Sequence, residues 1–302
     1  MSSNVGVVIR TKDRPLLLDR AIKSVFNQSI NSIEIVVVND GGDKDSVNNV
    51  INKYKKINKI EINAIHNQVS RGMEASSNLG LKSLNTKYLT LLDDDDTWDP
   101  NILKTEVNEL EKNHNKLSSI MGVSTLSQVV YELIINDDII TQNVIPLEDE
   151  ARLERQNYII NLGSLLKQNL FTNNSFLYFY DVLHEVGYYR ENLPVLGDWE
   201  FNIRFAKQFD ILVIQQHLAF YHKRVEQNNV NDNSKINLHQ EYYQVLRNQW
   251  IREDLNKNDN LGSYTILLPL ISKILENQTN TINLQNQIVS LLAIIGNDYL
   301  HK

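Results

Sequence analysis

Four consecutive aspartates, Asp93, Asp94, Asp95 and Asp96, are followed directly by Thr97-Trp98-Asp99-Pro100. Like charges packed this closely raise one another's pKa and destabilise a fold unless a cation neutralises them. The chain has no cysteine, so thiolate-bound metals are excluded and any metal must be held by oxygen or imidazole. An all-oxygen site selects Mg2+, Mn2+ or Ca2+, and Mg2+ or Mn2+ is the choice when a substrate diphosphate fills the remaining positions. The plainer use of the same residues is a solvated acidic loop capping the helix that opens at Pro100.

Two other short polar clusters follow apolar runs in the same way. Thr11, Lys12, Asp13 and Arg14 follow the first, and Asn39, Asp40, Gly41, Gly42 and Asp43 follow the second. Neither carries GxGxxG or GxxxxGK[ST], which disfavours dinucleotide cradling and a P-loop. Asp40 is suited to accept hydrogen bonds from the edge of a base, and Arg14 to meet a phosphate or a base. A turn built on Asp40-Gly41-Gly42 is an equal alternative.

The elements that must position these residues read as a repeated strand and helix alternation. Val5 to Arg10, Ile33 to Val38, Ile60 to Ile65 and Tyr88 to Leu92 are short β-branched or aliphatic runs, as expected of strands buried in a mainly parallel sheet. Pro15 suits a first helical position, with Leu18, Ala21, Ile22 and Val25 recurring on one face. Val47, Val50, Ile51 and Tyr54 mark a second helix, and Leu103, Val107 and Leu110 a third behind Asp99-Pro100. Such a series predicts an α/β fold with a doubly wound, mainly parallel sheet flanked by helices. Ligands of these sheets sit outside the carboxyl ends of the strands, where all three polar clusters fall.

The region from Leu117 to Phe220 is less regular, with strand-like pieces at Val129 to Ile135, Phe176 to Tyr180 and Ile211 to Ile214 and a helix starting near Asp198. Another amphipathic helix is expected over Leu238 to Leu255. Beyond it Leu284, Ile288, Leu291 and Ile295 step by four, three and four, a spacing suited to a short coiled coil or to a helix packing back on its own domain. The 302 residues carry a formal net charge of -7, which gives no generic attraction to nucleic acid or to anionic membrane. No signal peptide precedes the first strand-like run, and no apolar stretch approaches the roughly 20 residues that span a bilayer. A cytoplasmic protein is the expectation, with the inner face of the plasma membrane as the alternative place of work.

Taken together, the strand leading into Thr11-x-Asp13-Arg14-Pro15, the helix ending Ser24-Val25-Phe26-Asn27-Gln28-Ser29, the strand ending Asn39-Asp40-Gly41, then Ser70-Arg71-Gly72 with Asn78, and Leu92 through Pro100, resemble glycosyltransferase family 2. The segment Leu196-Gly197-Asp198-Trp199-Glu200-Phe201 resembles the place where that family opens a helix behind the acceptor. The resemblance covers roughly Val5 to Arg224. It implies a GT-A fold and inverting, metal-dependent transfer from a nucleotide-diphospho-sugar, most often a UDP-sugar, to a hydroxyl of a bacterial surface glycan, either a polysaccharide, a lipid-linked glycan or a glycoprotein glycan.

By the same resemblance Thr11, Arg14 and Asp40 would surround the base, Arg71 would lie near the diphosphate, and Asp93 and Asp94 near the ribose and donor. Asp95 would bind Mn2+ or Mg2+, with Asp96 supporting it. His222, in Phe220-Tyr221-His222-Lys223-Arg224, resembles a late histidine that some GT-A enzymes use on the metal or diphosphate. Asp198 matches the catalytic base, and Gly197 stands where the family often carries a glutamate. Trp199 offers an aromatic face for the acceptor sugar, core packing being the even alternative, and Asn174 is suited to bond its hydroxyls.

The boundaries expected are a nucleotide-sugar half over 1–115, an acceptor half over 116–260 and a helical tail over 261–302, the tail serving self-association or membrane contact. A nucleotidyltransferase is the main rival enzyme, but Thr11 to Pro15 lacks the glycine-rich basic loop it needs. A phosphatase with a nucleophilic aspartate would carry it after the first strand, not the fourth. An inactive GT-A-like scaffold that only binds nucleotide is the remaining alternative.

Overall fold

A computed structural model describes residues 5–57, 60–136, 138–147, 156–224 and 232–257, together with 267, 269–283 and 285–286. The chain divides into two compact units, Met1–Tyr243 and Gln244–Lys302.

The first unit is built on a ten-stranded sheet. β1 (Val5–Thr11) is buried at every position, as a strand covered on both faces must be. It pairs in parallel with β2 (Ile33–Asn39) on one side and with β4 (Tyr88–Asp93) on the other, and β3 (Glu61–His66) continues in parallel outside β2. The order β3-β2-β1-β4 places a topological switch between β1 and β4. The register puts Arg10 opposite Asp93 and Thr11 opposite Asn39, so the polar strand ends come level on one edge of the sheet.

Three helices complete this half. α1 (Pro15–Phe26) starts on its proline and buries Leu17, Leu18, Ala21, Ile22 and Val25. α2 (Lys44–Lys55) is capped by Asp43, whose carboxylate accepts from the amides of Asp45 and Ser46. α3 (Met73–Ser83) buries Glu74, Ala75, Ser76, Ser77, Asn78, Gly80 and Leu81. An apolar stripe is missing from that face, and the sequence periodicity does not reveal this helix.

After β4 comes β5 (Thr97–Trp98) and then α4 (Ile102–His114). β6 (Ile120–Ile135) and β7 (Asp138–Pro146) form an antiparallel ribbon. β8 (Tyr158–Ile159), α5 (Leu162–Lys167), β9 (Phe176–Phe179), α6 (Val182–Val186), α7 (Gly197–Ala206) and β10 (Asp210–Arg224) follow. β9 lies between β4 and β6, antiparallel to both, while β6 and β10 run parallel. The fold is thus α/β with a central mixed sheet and flanking helices, as expected, except that β6 and β10 run much further than their apolar pieces indicate. β10 extends to Arg224 and pairs antiparallel with β5, Ala219 against Trp98 and Phe220 against Thr97. That pairing brings the late segment against the aspartates.

α8 (Asp232–Lys257) contains the boundary between the units. In the second unit a further helix covers 269–283, with Leu270, Ile271, Ile274, Leu275 and Ile282 exposed. The heptad positions Leu284, Ile288, Leu291 and Ile295 lie outside the described residues. Among the described residues no helix is long and apolar enough to cross a membrane.

Candidate active site

The four aspartates project into four different environments, because β4 ends at Asp93 and the chain turns at once, the Asp96 amide donating to the Asp93 carbonyl at 3.0 Å. Asp93 accepts from Arg10 Nε at 2.8 Å. Asp94 is fully buried and accepts from Thr11 Oγ1 at 2.7 Å and Arg14 Nε at 3.1 Å. Burial pushes its pKa up to about 6 against the opposing pull of Arg14. Asp95 turns outward and meets Arg14 Nη1 at 2.9 Å and Arg224 Nη1 at 3.1 Å. Asp96 points inward and accepts from the His222 amide at 3.0 Å; burial, with Asp95 and Asp93 adding to it, raises its pKa well above the usual carboxylate range.

A second network holds this loop from behind. Arg20 on α1 donates to the Asp95 carbonyl at 2.6 Å and to Glu132 Oε2 at 2.6 Å. Glu132 also meets His222 Nδ1 at 2.8 Å, and His222 Nε2 meets Thr97 Oγ1 at 2.8 Å. Burial would raise the Glu132 pKa, but the bonds from His222 and Arg20 hold it near 2. His222 therefore has both ring nitrogens engaged and offers none to a metal in this arrangement. His222, the histidine expected as a ligand, here ties Glu132 to Thr97 beside the aspartate loop.

Asp40 is used up within the protein in the same sense. Its carboxylate accepts from Asn67 Nδ2 at 2.9 Å, Ser70 Oγ at 2.7 Å, the Arg71 amide at 2.7 Å and the Gly72 amide at 3.0 Å. Burial works against ionisation, yet these four donors bring its pKa down to about 2. Gly41 has φ +79°, and a Cβ there would stand 2.5 Å from the Ser70 amide nitrogen, so only glycine lets the two loops close up. The effect is to fix residues 67–72 beside the β1 and β2 ends and to leave the Arg71 side chain exposed there.

Asp198 lies in the first turn of α7, behind Leu196, which takes the left-handed conformation with φ 63°. Its Oδ2 accepts from Asn169 Nδ2 at 2.7 Å. Burial raises its pKa and so does the field of Asp93, while the Trp199 amide, its own amide and Arg10 work in the opposite direction. Asp198 is thus brought into the electrostatic neighbourhood of Arg10 and Asp93.

The two acceptor-side candidates lie buried. Trp199 is 1% exposed, donates from Nε1 to the Leu165 carbonyl at 2.7 Å and stacks on Tyr243 with ring centroids 5.1 Å apart. It is a core residue. Asn174, 2% exposed, donates to the Phe220 carbonyl at 3.2 Å and accepts from Thr172 Oγ1 at 2.5 Å, so its amide ties β10 to the turn before β9.

The residues that sequence reading missed are mostly charges inside apolar runs. Arg10 ends the run Val5–Ile9, and Glu132 interrupts Val129–Ile135. A lone ion in a buried strand needs a partner, and that was the available signal. Arg20 sits on an ordinary amphipathic helix and gave none.

For a divalent cation the donors fit in part. Among the described residues no group of three or more His, Asp or Glu is arranged to hold a metal by itself. Mg2+ and Mn2+ sites that use one or two carboxylates together with substrate phosphates need no such cage, and Asp95, partly exposed at a strand end, is a suitable oxygen donor.

Glycosyl transferase family 2 matches residues 6–163. An uncharacterized glycosyltransferase of Rickettsia felis is 28% identical over 250 residues, 82% of this chain and 38% of that protein. The GalNAc(5)-diNAcBac-PP-undecaprenol beta-1,3-glucosyltransferase of Campylobacter jejuni is 33% identical over 92 residues, 30% of this chain and 29% of its own length. The chain spans well under half the length of these curated relatives. Among solved structures, S. aureus TarS 1-349 in complex with UDP-GlcNAc superposes with a TM-score of 0.53 at 17% identity, over 74% of this chain and 60% of that one. The mannosyltransferase PcManGT of Pyrobaculum calidifontis, in complex with GDP-Man and Mn2+, gives 0.54 at 13% identity, over 76% and 59%. These likenesses carry the fold, a GT-A one, and the match over residues 6–163 carries the family: the chain belongs to glycosyl transferase family 2.

Proposed function

We propose that the protein is an inverting, metal-dependent glycosyltransferase that moves a sugar from a UDP-sugar to a hydroxyl of a bacterial surface glycan, with Asp198 as general base. The observation that carries this reading is the position of Asp198 at the start of α7, next to Gly197, which packs against Glu74, itself 3.9 Å from the Arg10 guanidinium that bonds Asp93 at the β4 end. On this reading Asp198 faces a strand edge suited to a nucleotide diphosphate. A raised pKa suits the role, because a stronger base takes the proton from the attacking hydroxyl more readily.

On this reading Arg71 and Arg14 present cations to the diphosphate, and Asp93 meets the donor sugar or ribose. Thr11 and Asp94 act one step back, by fixing the Arg14 guanidinium, and Asp40 acts by fixing the loop that carries Arg71. Asp95 is the carboxylate for Mn2+ or Mg2+, which when bound neutralises charge on the leaving diphosphate. Arg224 would share that task, and Lys223 stands beside it on β10. The UDP-GlcNAc complex of TarS and the Mn2+ complex of PcManGT support the donor and the cation, and the undecaprenol-linked acceptor named for the Campylobacter relative supports a lipid-linked glycan.

The test is a panel of UDP-, GDP- and dTDP-sugars scored for metal-dependent transfer or hydrolysis, with Asp198→Asn alongside. The variant is expected to lose at least about a hundredfold in turnover while binding UDP as the parent does. Wild-type turnover by Asp198→Asn would remove the base assignment.

A further inference from the structure

α3 carries an ion on a face that packing alone would not charge. Glu74 is 5% exposed, its Oε2 makes no hydrogen bond, and the nearest cation is Arg10, whose Nη1 lies 3.9 Å from that oxygen. Burying a carboxylate so weakly partnered is unfavourable.

The opposite wall makes room for this carboxyl. A Cβ built on Gly197, the first residue of α7, would stand 2.3 Å from Glu74 Oε1 and 2.4 Å from its Cδ. Gly197 is not among the glycines with positive φ, so the backbone does not require glycine there; space does. The residue after it is Asp198. Glu74 thus lies between Arg10, itself bonded to Asp93, and the start of the helix that carries the proposed base. Burial, with Asp198, Asp93 and Glu200 adding to it and Arg10 opposing, moves the Glu74 pKa to about 7.

We propose that Glu74 is a positioning residue for the transfer reaction, laying a second carboxyl from α3 against the start of α7 and, with Arg10, fixing the charge and the geometry around Asp198. The inference rests on the reading of Asp198 as base. Arg10 spans two anions, Asp93 and Glu74. If Glu74 is neutralised, the Arg10 field falls on Asp93 and Asp198 alone, and Asp198 becomes a weaker base. Donor binding rests on Arg14, Arg71 and Asp95 as well as on Asp93, so it is expected to change less than turnover does.

Glu74→Gln keeps the shape and removes the charge. It is expected to fold, to keep the donor KM within about twofold and to lower kcat roughly tenfold, the size of a modest loss in base strength. Glu74→Ala should lose at least as much, and Glu74→Ala/Gly197→Asp, which returns a carboxyl to the same space from α7, should recover part of it. A wild-type kcat in Glu74→Gln, or a double variant no better than Glu74→Ala, would overturn the proposal. A third arm needs no substrate. Gly197→Ala should lower the melting temperature in the parent and much less in a Glu74→Ala background, and simple additivity would overturn the placement. Asp198→Asn in the same assay separates the two ideas, since an active Asp198→Asn fails the base assignment while the coupling of positions 74 and 197 still decides where the carboxyl sits.

Discussion

Each of the four aspartates after β4 has partners of its own. Asp94 and Asp96 are taken inward, to Thr11 and Arg14 and to the His222 amide, and Asp93 and Asp95 stay partly exposed. What the sequence carried was the location, a strand end at the switch point; the direction of each side chain depends on a turn and on cationic partners from α1, β1 and β10 that lie far away in the chain. The same holds for Asp40, whose four donors lie in a loop that no local pattern foretold. Its pKa is near 2 against an ordinary 3.8. The carboxylate thus contributes stability that is fully present above about pH 4 and is lost as the pH falls through about 2, worth about 2 kcal/mol. Asp40→Asn, which places an amide among four donors, is expected to cost about 1–3 kcal/mol at pH 7. Urea denaturation should show the gap between the two proteins closing below pH 4.

At the scale of elements, strands β1, β2 and β4 and helices α1, α2 and α4 were legible, because apolar periodicity was strong and Pro15 marked a start. α3 was not, since its buried face is made of serines, an asparagine, a glycine and a glutamate. Small residues there let the helix come close to the sheet. A Cβ on Gly80 would stand 2.4 Å from Val8 Cγ1 and 3.2 Å from Val38 Cγ2. Alanine would gain about 1 kcal/mol in helix propensity, but overpacking against a stiff valine costs about 1–3 kcal/mol. Gly80→Ala is therefore expected to melt below the parent, and a higher melting temperature would show that α3 has slack. β9 was legible as the strand-like piece Phe176 to Tyr180, but its antiparallel direction and the long run of β10 were beyond reach, since pairing partners chosen across the sheet, and not local composition, set them.

For the whole molecule, the acidic balance that argued against nucleic acid has a local meaning, because part of it is gathered at one sheet edge beside Arg10, Arg14, Arg71 and Arg224. A ligand that is both anionic and chelating suits that mixture. UDP with Mn2+ should raise the melting temperature, with about 2.7 kcal/mol of stabilisation at a hundredfold excess over Kd. ATP with the same metal should not, and an equal response to both would argue against recognition of uracil. In the second unit the helix over 269–283 keeps Leu270, Ile271, Ile274 and Leu275 exposed.

The guanidinium contacts of Asp93, Asp94 and Asp95 also bear on what a chelator would do. With Arg10, Arg14 and Arg224 as resident counter-ions, and Asp96 turned inward onto the His222 amide, the loop needs no ion in order to fold. Stripping divalent metal with EDTA should then abolish donor-dependent stabilisation while leaving the melting temperature of the free protein unchanged, so that catalysis and architecture answer to the metal separately.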